Sequence, residues 1–240
     1  MLSINRIKFI QSLSSKKNRV KNGLFVVEGQ KNVQEFISSD WEIENIYATD
    51  EWQGNCNRIS EKELSRISFL KTPNKVLALV KMPQTLPMIN GDLILALDGV
   101  KDPGNFGTII RLADWFGVHH ILCSKDSVEL YNPKVVQSTM GSIARVHVHY
   151  VDLVDAFKNL PDYSVYGMVL KGENVSSVKK VDKKIMVMGG ESHGISPEVL
   201  EQLSYLITIP KSASSKTESL NVANASAIGL FVFGSFPIAD

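Results

Sequence analysis

An arginine, a carboxylate and a pair of small polar side chains stand just beyond the ends of three apolar stretches. The first stretch, Asp98 to Val118, reads DGVKDPGNFGTIIRLADWFGV. It follows the continuous apolar run Leu93–Leu97, the pattern of a strand buried in a parallel sheet. Pro103, Gly104 and Asn105 break the chain into a turn, and Asn105 is placed to cap the amphipathic helix that follows. Ile109, Ile110, Leu112, Ala113 and Phe116 supply the core-facing stripe. Arg111 sits among them. Such a cation can lay its stem on the core with its head in water, pair with Asp114, or face a ligand.

Two more segments share this logic. Lys184 to Pro197, KIMVMGGESHGISP, is an apolar strand ending in Gly189-Gly190, then Glu191 and Gly194. Ser196 can cap a helix with Pro197 at its first position. Tyr205 to Val222, YLITIPKSASSKTESLNV, is a strand ending at Ile209-Pro210, a polar loop, and then Ser219 or Asn221 opening a last helix. Tight loops of Gly and Pro let backbone approach a ligand closely, and polar side chains there can orient or stabilise a reacting group.

The elements that must position these residues alternate strand and helix. Strands are predicted at Leu93–Leu97, His119–Cys123, Arg145–Val148, Val165–Leu170, Lys184–Met188 and Tyr205–Ile209. Helices are predicted at Asn105–Phe116, Pro133–Met140, Leu153–Asn159, Pro197–Leu203 and Leu220–Phe233. This is a parallel α/β sheet with helices on its faces. Ligands in such sheets bind beyond the carboxyl ends of the strands, where all three segments lie. The first 82 residues read as a smaller α/β unit: helices at Ser3–Leu13, Gln30–Ser38 and Glu61–Ser68, strands at Leu24–Val27, Ile43–Ala48 and Lys75–Val80. Residues 83–91 are Pro-rich and read as a linker, leaving 92–240 as the second domain.

DPGNFGTIIRLADWFG, VMGGESHGISPE, and ITIP followed by ESLNVANASAIGLF resemble the three ordered motifs of the SpoU/TrmH branch of the SPOUT superfamily. These are S-adenosylmethionine-dependent RNA ribose 2′-O-methyltransferases. The resemblance spans roughly Asp92 to Phe236. The N-terminal words RIKFIQSL and FVVEGQKNVQEF are similar to the small substrate-binding domain of many members. Two departures stand out: PKSASSKTE is longer than the common spacing, and Ala223 replaces the usual Ser after NV.

The resemblance implies a deep trefoil knot in the C-terminal domain and a homodimer formed through it. It implies S-adenosylmethionine bound by Leu170, Gly172, Gly189, Gly190, Ile209, Leu220 and Asn221. It makes Arg111, Asn105, Glu191, Ser219 and Asn221 the catalytic candidates. Plain structural readings compete: the glycines as turn formers, Ile209 and Leu220 as core, Glu191 as a helix cap or a partner of Lys, and Ser219 as an N-cap. Arginine is permanently charged, so Arg111 suits electrostatic stabilisation of a developing alkoxide better than proton abstraction.

Composition bounds the rest. The 240 residues are 44% hydrophobic with a net charge of +1, so global charge does not announce nucleic acid. Distribution does more: Arg6, Lys8, Lys16, Lys17, Arg19 and Lys21 precede any acidic residue. Of these, Arg6, Lys16, Lys17, Arg19 and Lys21 are the candidate RNA contacts. Cys56 and Cys123 lack metal or redox spacing and read as free thiols of a cytoplasmic protein. His119, His120, His147 and His149 read as strand decoration, so no metal is expected. No membrane span or secretory leader is expected. The function expected is RNA 2′-O-ribose methylation, with ribosomal RNA favoured over transfer RNA. A catalytically silent RNA-binding module is the alternative. A dinucleotide oxidoreductase ranks low, because no GxGxxG follows a strand.

Overall fold

A computed structural model describes residues 1–179 and 181–234; the last six residues expected in the second domain lie outside the described residues. The chain forms two compact units. One comprises residues 1–85 with 129–144, the other residues 86–128 with 145–240.

In the first unit, α1 (Ile4–Ser12) opens at Ser3, whose hydroxyl accepts the Arg6 N–H at 3.2 Å. α2 (Lys16–Asn22) ends at Gly23 in the left-handed region, φ 62°. The rest runs β1 (Leu24–Glu28), α3 (Gln30–Ile37), β2 (Ile43–Ala48), β3 (Asn57–Arg58), α4 (Glu61–Ile67) and β4 (Val76–Lys81). Ser60 and Glu63 form a reciprocal capping box at the start of α4. The strand order is β1-β4-β2-β3. Alternation divides β1 between two cores. Leu24 and Val26 join Ile7, Ile10, Leu13, Leu64 and Ile67. Phe25 instead meets Phe36, Trp41 and Tyr131, with ring centroids 5.8, 5.8 and 4.6 Å away. Tyr131 comes from the segment 129–144, which carries α6 (Pro133–Ser138). That helix forms where predicted, but within the first unit.

The second unit is a six-stranded, all-parallel sheet ordered β10-β8-β9-β5-β6-β7. Its strands are β5 (Leu93–Asp98), β6 (His120–Ser124), β7 (His147–Val151), β8 (Ser164–Asn174), β9 (Lys184–Gly189) and β10 (Tyr205–Thr208). Its helices are α5 (Pro103–Trp115), α7 (Leu153–Lys158), α8 (Pro197–Leu200) and α9 (Val222–Phe233). Ile94, Ala96, Leu122, Ile185 and Val187 pack with Leu153, Phe157 and Val199. α9 packs against α5 and β9. Its small residues serve this close approach: a Cβ on Gly229 would lie 2.6 Å from Met186 Sδ. β10 follows β8 through an irregularity, since Leu206 pairs with Gly167 and Ile207 with Glu173. Residues 168–172 of β8 therefore stand outside the β10 ladder.

Both cysteines are free, and burial pushes the Cys123 thiol up to about 12, so it is not a ready nucleophile. No helix among the described residues is long and apolar enough to cross a membrane.

The histidines on β6 and β7 form a cluster. His120 Nδ1 lies 3.0 Å from His149 Nε2, and its ring centroid is 5.5 Å from that of His147. Burial first, then the neighbouring histidines, lowers the His120 pKa to about 4. His147 and His149 shift the same way, again chiefly through burial. An unfolded histidine takes its proton near about 6.5. Between that value and about 4 the unfolded chain holds more protons than the folded one, so stability rises with pH across this window. Melting temperature is therefore expected to fall as pH drops from about 6.5 toward 4. His120→Gln should flatten that part of the curve; an unchanged slope in calorimetric scans would remove His120 as its source.

Candidate active site at the carboxyl edge of the parallel sheet

The helix after β5 begins one turn earlier than the sequence suggests. Asp102, not Asn105, is the N-cap: its Oδ1 accepts the Asn105 N–H at 2.8 Å, with Pro103 at the first helical position. Proline has no N–H to lose and a preset φ, so an Asp immediately before it makes the better cap. Asn105 is thereby released from capping, and its side chain turns to the other two segments.

Asn105 Nδ2 donates to Glu191 Oε1 at 2.8 Å, and Asn105 Oδ1 accepts from Asn221 Nδ2 at 3.0 Å. Asn221 also caps α9, its Oδ1 accepting from Ala223 N at 2.9 Å and Asn224 N at 3.3 Å. The second Glu191 oxygen accepts the Lys101 N–H at 3.4 Å. One residue from each segment thus enters a continuous amide–carboxylate chain. It lies where β5 and β9 adjoin, at the point where strand order diverges to the two sides of the sheet.

The loop carrying Glu191 is closed by paired backbone bonds, Gly190 N to Gly194 O at 3.1 Å and Gly194 N to Gly190 O at 3.0 Å. Gly194 is left-handed, φ 69°. A Cβ on Gly189 would fall 2.1 Å from Gly194 C, and one on Gly190 would fall 2.2 Å from Gly99 O. Backbone-to-backbone packing therefore already demands glycine at both positions. Gly172 is alike, its Cβ position lying 2.5 Å from Leu206 O. Asp98, buried at the end of β5, ties the same loop down through Ser196 N at 2.7 Å.

Beside these loops apolar side chains are left open. Leu170 is 72% exposed and Leu220 50%, while Ile209 is half-buried. Thr208 Oγ1 donates to Leu170 O at 3.3 Å, holding the bulged part of β8 against the end of β10.

Two candidates stand outside the polar chain. Arg111 is exposed on the Thr108–Trp115 edge of α5 and makes no hydrogen bond or ion pair with a described residue. It does not pair with Asp114 as considered above. Arg145 holds that carboxylate, Nε to Oδ1 at 3.0 Å and Nη2 to Oδ2 at 2.8 Å. Ser219 is exposed, and Asn221 takes the capping position instead. Asp102 and Asp98 join the site without being among the candidates of the sequence; the Asp-Pro pair before a helical pattern signals the first, and nothing local marks the second.

The N-terminal cations separate by burial. Arg19 is 2% exposed, and its Nη1 donates to Leu13 O and Ser14 O, both at 2.8 Å, while Nη2 pairs with Glu129. This placement does not favour the expected RNA contact: Nη1 and Nη2 are engaged inside the unit and Nε is buried, so the guanidinium is not presented to a phosphate at the surface. Arg6 donates Nε to Tyr47 Oη at 2.6 Å and reaches Glu44 at 3.3 Å. Lys16, Lys17 and Lys21 are exposed.

Residues 92–231 match the model of the SpoU rRNA Methylase family, and residues 5–78 match that of the MRM3-like substrate binding domain. Among solved structures, a TrmH-family chain from Porphyromonas gingivalis is 36% identical, with TM-score 0.88 and 98% of each chain covered. An AdoMet-bound rRNA methyltransferase from Sinorhizobium meliloti is 26% identical, with TM-score 0.84, covering 97% of this chain and 95% of that one. The 23S rRNA (guanosine(2553)-2′-O)-methyltransferase RlmP of Bacillus subtilis is 29% identical over 241 residues, 93% of each chain. With the family model matched over more than half its length, and a parallel sheet that brings all three segments to one edge, this chain belongs to the SpoU rRNA methylase family.

Proposed function

We propose that the loops beyond the carboxyl ends of β5 and β9 form the active site of an S-adenosylmethionine-dependent methyltransferase acting on ribose 2′-hydroxyls of ribosomal RNA in the cytoplasm. The observation that carries this reading is the Glu191–Asn105–Asn221 chain, which joins residues 86 and 116 positions apart. The two relatives described as rRNA methyltransferases support the substrate class.

The residues present suit the cofactor. Leu170, Ile209 and Leu220 offer apolar cover for an adenosyl group, and Gly172, Gly189 and Gly190 keep the loop backbones beside them free of side chains. When bound, S-adenosylmethionine supplies a sulfonium-activated methyl group. The chain's own task is to aim an oxygen and stabilise the charge that grows on it. Arg111 suits the second role because its donors are uncommitted. Asn105, Glu191 and Asn221 hold one another, so their part is to fix the three loops in register. Ser219, exposed two residues before Asn221, can steady the ribose. Arg111, Glu191, Ser219 and Asn221 all face solvent, so water can carry away the hydroxyl proton.

We further read α9 as the threaded element of a deep trefoil knot, consistent with its return from β10 at the sheet edge onto β9 and α5. We also read the chain as a homodimer, for which the exposed Trp115 of α5 (83%) and Phe231 of α9 (70%) offer apolar surface. Lys16, Lys17 and Lys21 suit RNA phosphate contacts in the first unit.

Ribose-methylation mapping of total RNA from cells with and without the gene tests the function. Loss of one 2′-O-methyl site in ribosomal RNA, restored by purified protein with S-adenosylmethionine, is expected. Loss confined to transfer RNA would move the substrate, and no lost site in any RNA would leave a silent binding module.

A further inference from the structure

The loop from Gly99 to Asp102 has its backbone engaged on both sides. Gly99 N donates to Ser124 Oγ at 2.8 Å and Val100 N to Ser127 Oγ at 3.1 Å. Val100 O accepts from Val128 N at 3.0 Å, and Lys101 N donates to Glu191 Oε2 at 3.4 Å. Asp126 Oδ1 fixes the Ser124 hydroxyl at 2.7 Å, and Asp102 is held as the cap of α5. Any side chain on this loop is presented from a rigid base.

Lys101 is the cation on that base. Its side chain is exposed, and its ammonium has no hydrogen-bond or ion-pair partner among the described residues. Two carboxylates lie close by in the loop network, yet neither claims it. Asp102 takes the Asn105 N–H, and Glu191 takes the Asn105 amide and the Lys101 backbone. Along the chain, Lys101 lies on one side of Asn105 and Arg111 on the other.

We propose that Lys101 grips a phosphate of the RNA substrate beside the target ribose, as a positioning residue. This rests on the methyltransferase reading of the loops beyond β5 and β9. A compact, hydrated ammonium suits a phosphodiester oxygen, and such contacts set register without reading sequence. Lys101 fixes where the strand lies, and the chemistry stays with Arg111 and the cofactor.

The probe is an unmodified 23S rRNA transcript, used in filter binding across a salt series and in steady-state methylation. Lys101→Ala should weaken RNA binding about tenfold, the scale of one hydrogen bond to a charged group. The slope of log affinity against log salt should shrink by about 0.7–0.9. The loss should appear as a raised KM with kcat within roughly twofold, and S-adenosylmethionine affinity and melting temperature should stay unchanged. Lys101→Arg should keep most of the binding. Lys158→Ala, an exposed cation at the end of α7, sets the baseline for an uninvolved lysine. A salt slope for Lys101→Ala equal to that baseline overturns the proposal. So does a fall in cofactor affinity or in kcat alone, which would place Lys101 at the cofactor or the reacting oxygen. Binding is read without turnover, so wild-type protein that binds RNA but methylates none refutes the methyltransferase reading separately.

Discussion

Arg111→Ala is expected to slow single-turnover methyl transfer by about 10²–10³, the usual cost of removing one preorganised charge-stabilising donor. Cofactor affinity and melting temperature should stay at wild-type values. The structure gives the reason for that separation. Arg111 is exposed and bonds no described residue, so truncation breaks no internal contact. Its neighbour Asp114 is bound by Arg145 instead. Alanine is also the best helix former, so α5 is not weakened by the exchange. Arg111→Lys should recover little, because a point charge does not reproduce the planar fork of donors. Near-normal turnover by Arg111→Ala would take it out of the mechanism. A melting-temperature loss matching that of Asp114→Ala would make it a brace for α5.

The parts of this molecule legible in its sequence are those whose signal is local. β5, β6 and β9 are continuous apolar runs because both faces of the parallel sheet are covered, and they form within a residue of the predicted bounds. The apolar pattern predicts β8 only to Leu170, but the strand runs to Asn174, because its last residues, KGEN, are exposed and carry no apolar pattern. α2 shows no helical pattern in the sequence, for a sharper reason: its inward-facing residue is Arg19, and its one large apolar residue, Val20, is 64% exposed. In the site, Asn105, Glu191 and Asn221 were legible as polar residues at strand ends. Their hydrogen bonds to one another were not, and neither was the backbone crowding that dictates Gly189 and Gly190. Least legible was the placement of residues 129–144. The partners of this segment lie 103 to 110 positions away in Trp41, Asn32 and Arg19, and no periodicity reports a contact at that separation.

The largest expected effect on stability comes from that segment. Glu129→Ala should destabilise the first unit by about 3–5 kcal/mol, the cost of leaving a buried charge uncompensated. Arg19 is 2% exposed, and Glu129 is its one anionic partner among the described residues. The two carbonyls it also binds, Leu13 O and Ser14 O, satisfy donors but do not cancel charge. Its Nε is already buried without a hydrogen bond, so the group has no reserve. Glu129 Oε1 further accepts the Tyr131 N–H at 3.2 Å, next to the ring that packs on Phe25. Replacing both partners, Arg19→Met with Glu129→Leu, should cost less than Glu129→Ala alone, because no charge is then stranded. Lys21→Ala, on the exposed side of the same helix, should stay within about 0.5 kcal/mol of wild type. Urea unfolding of the three variants, followed by tryptophan fluorescence, checks the order. If Glu129→Ala unfolds like Lys21→Ala, Arg19 can reach water readily, and its place among the RNA-facing cations would have to be restored.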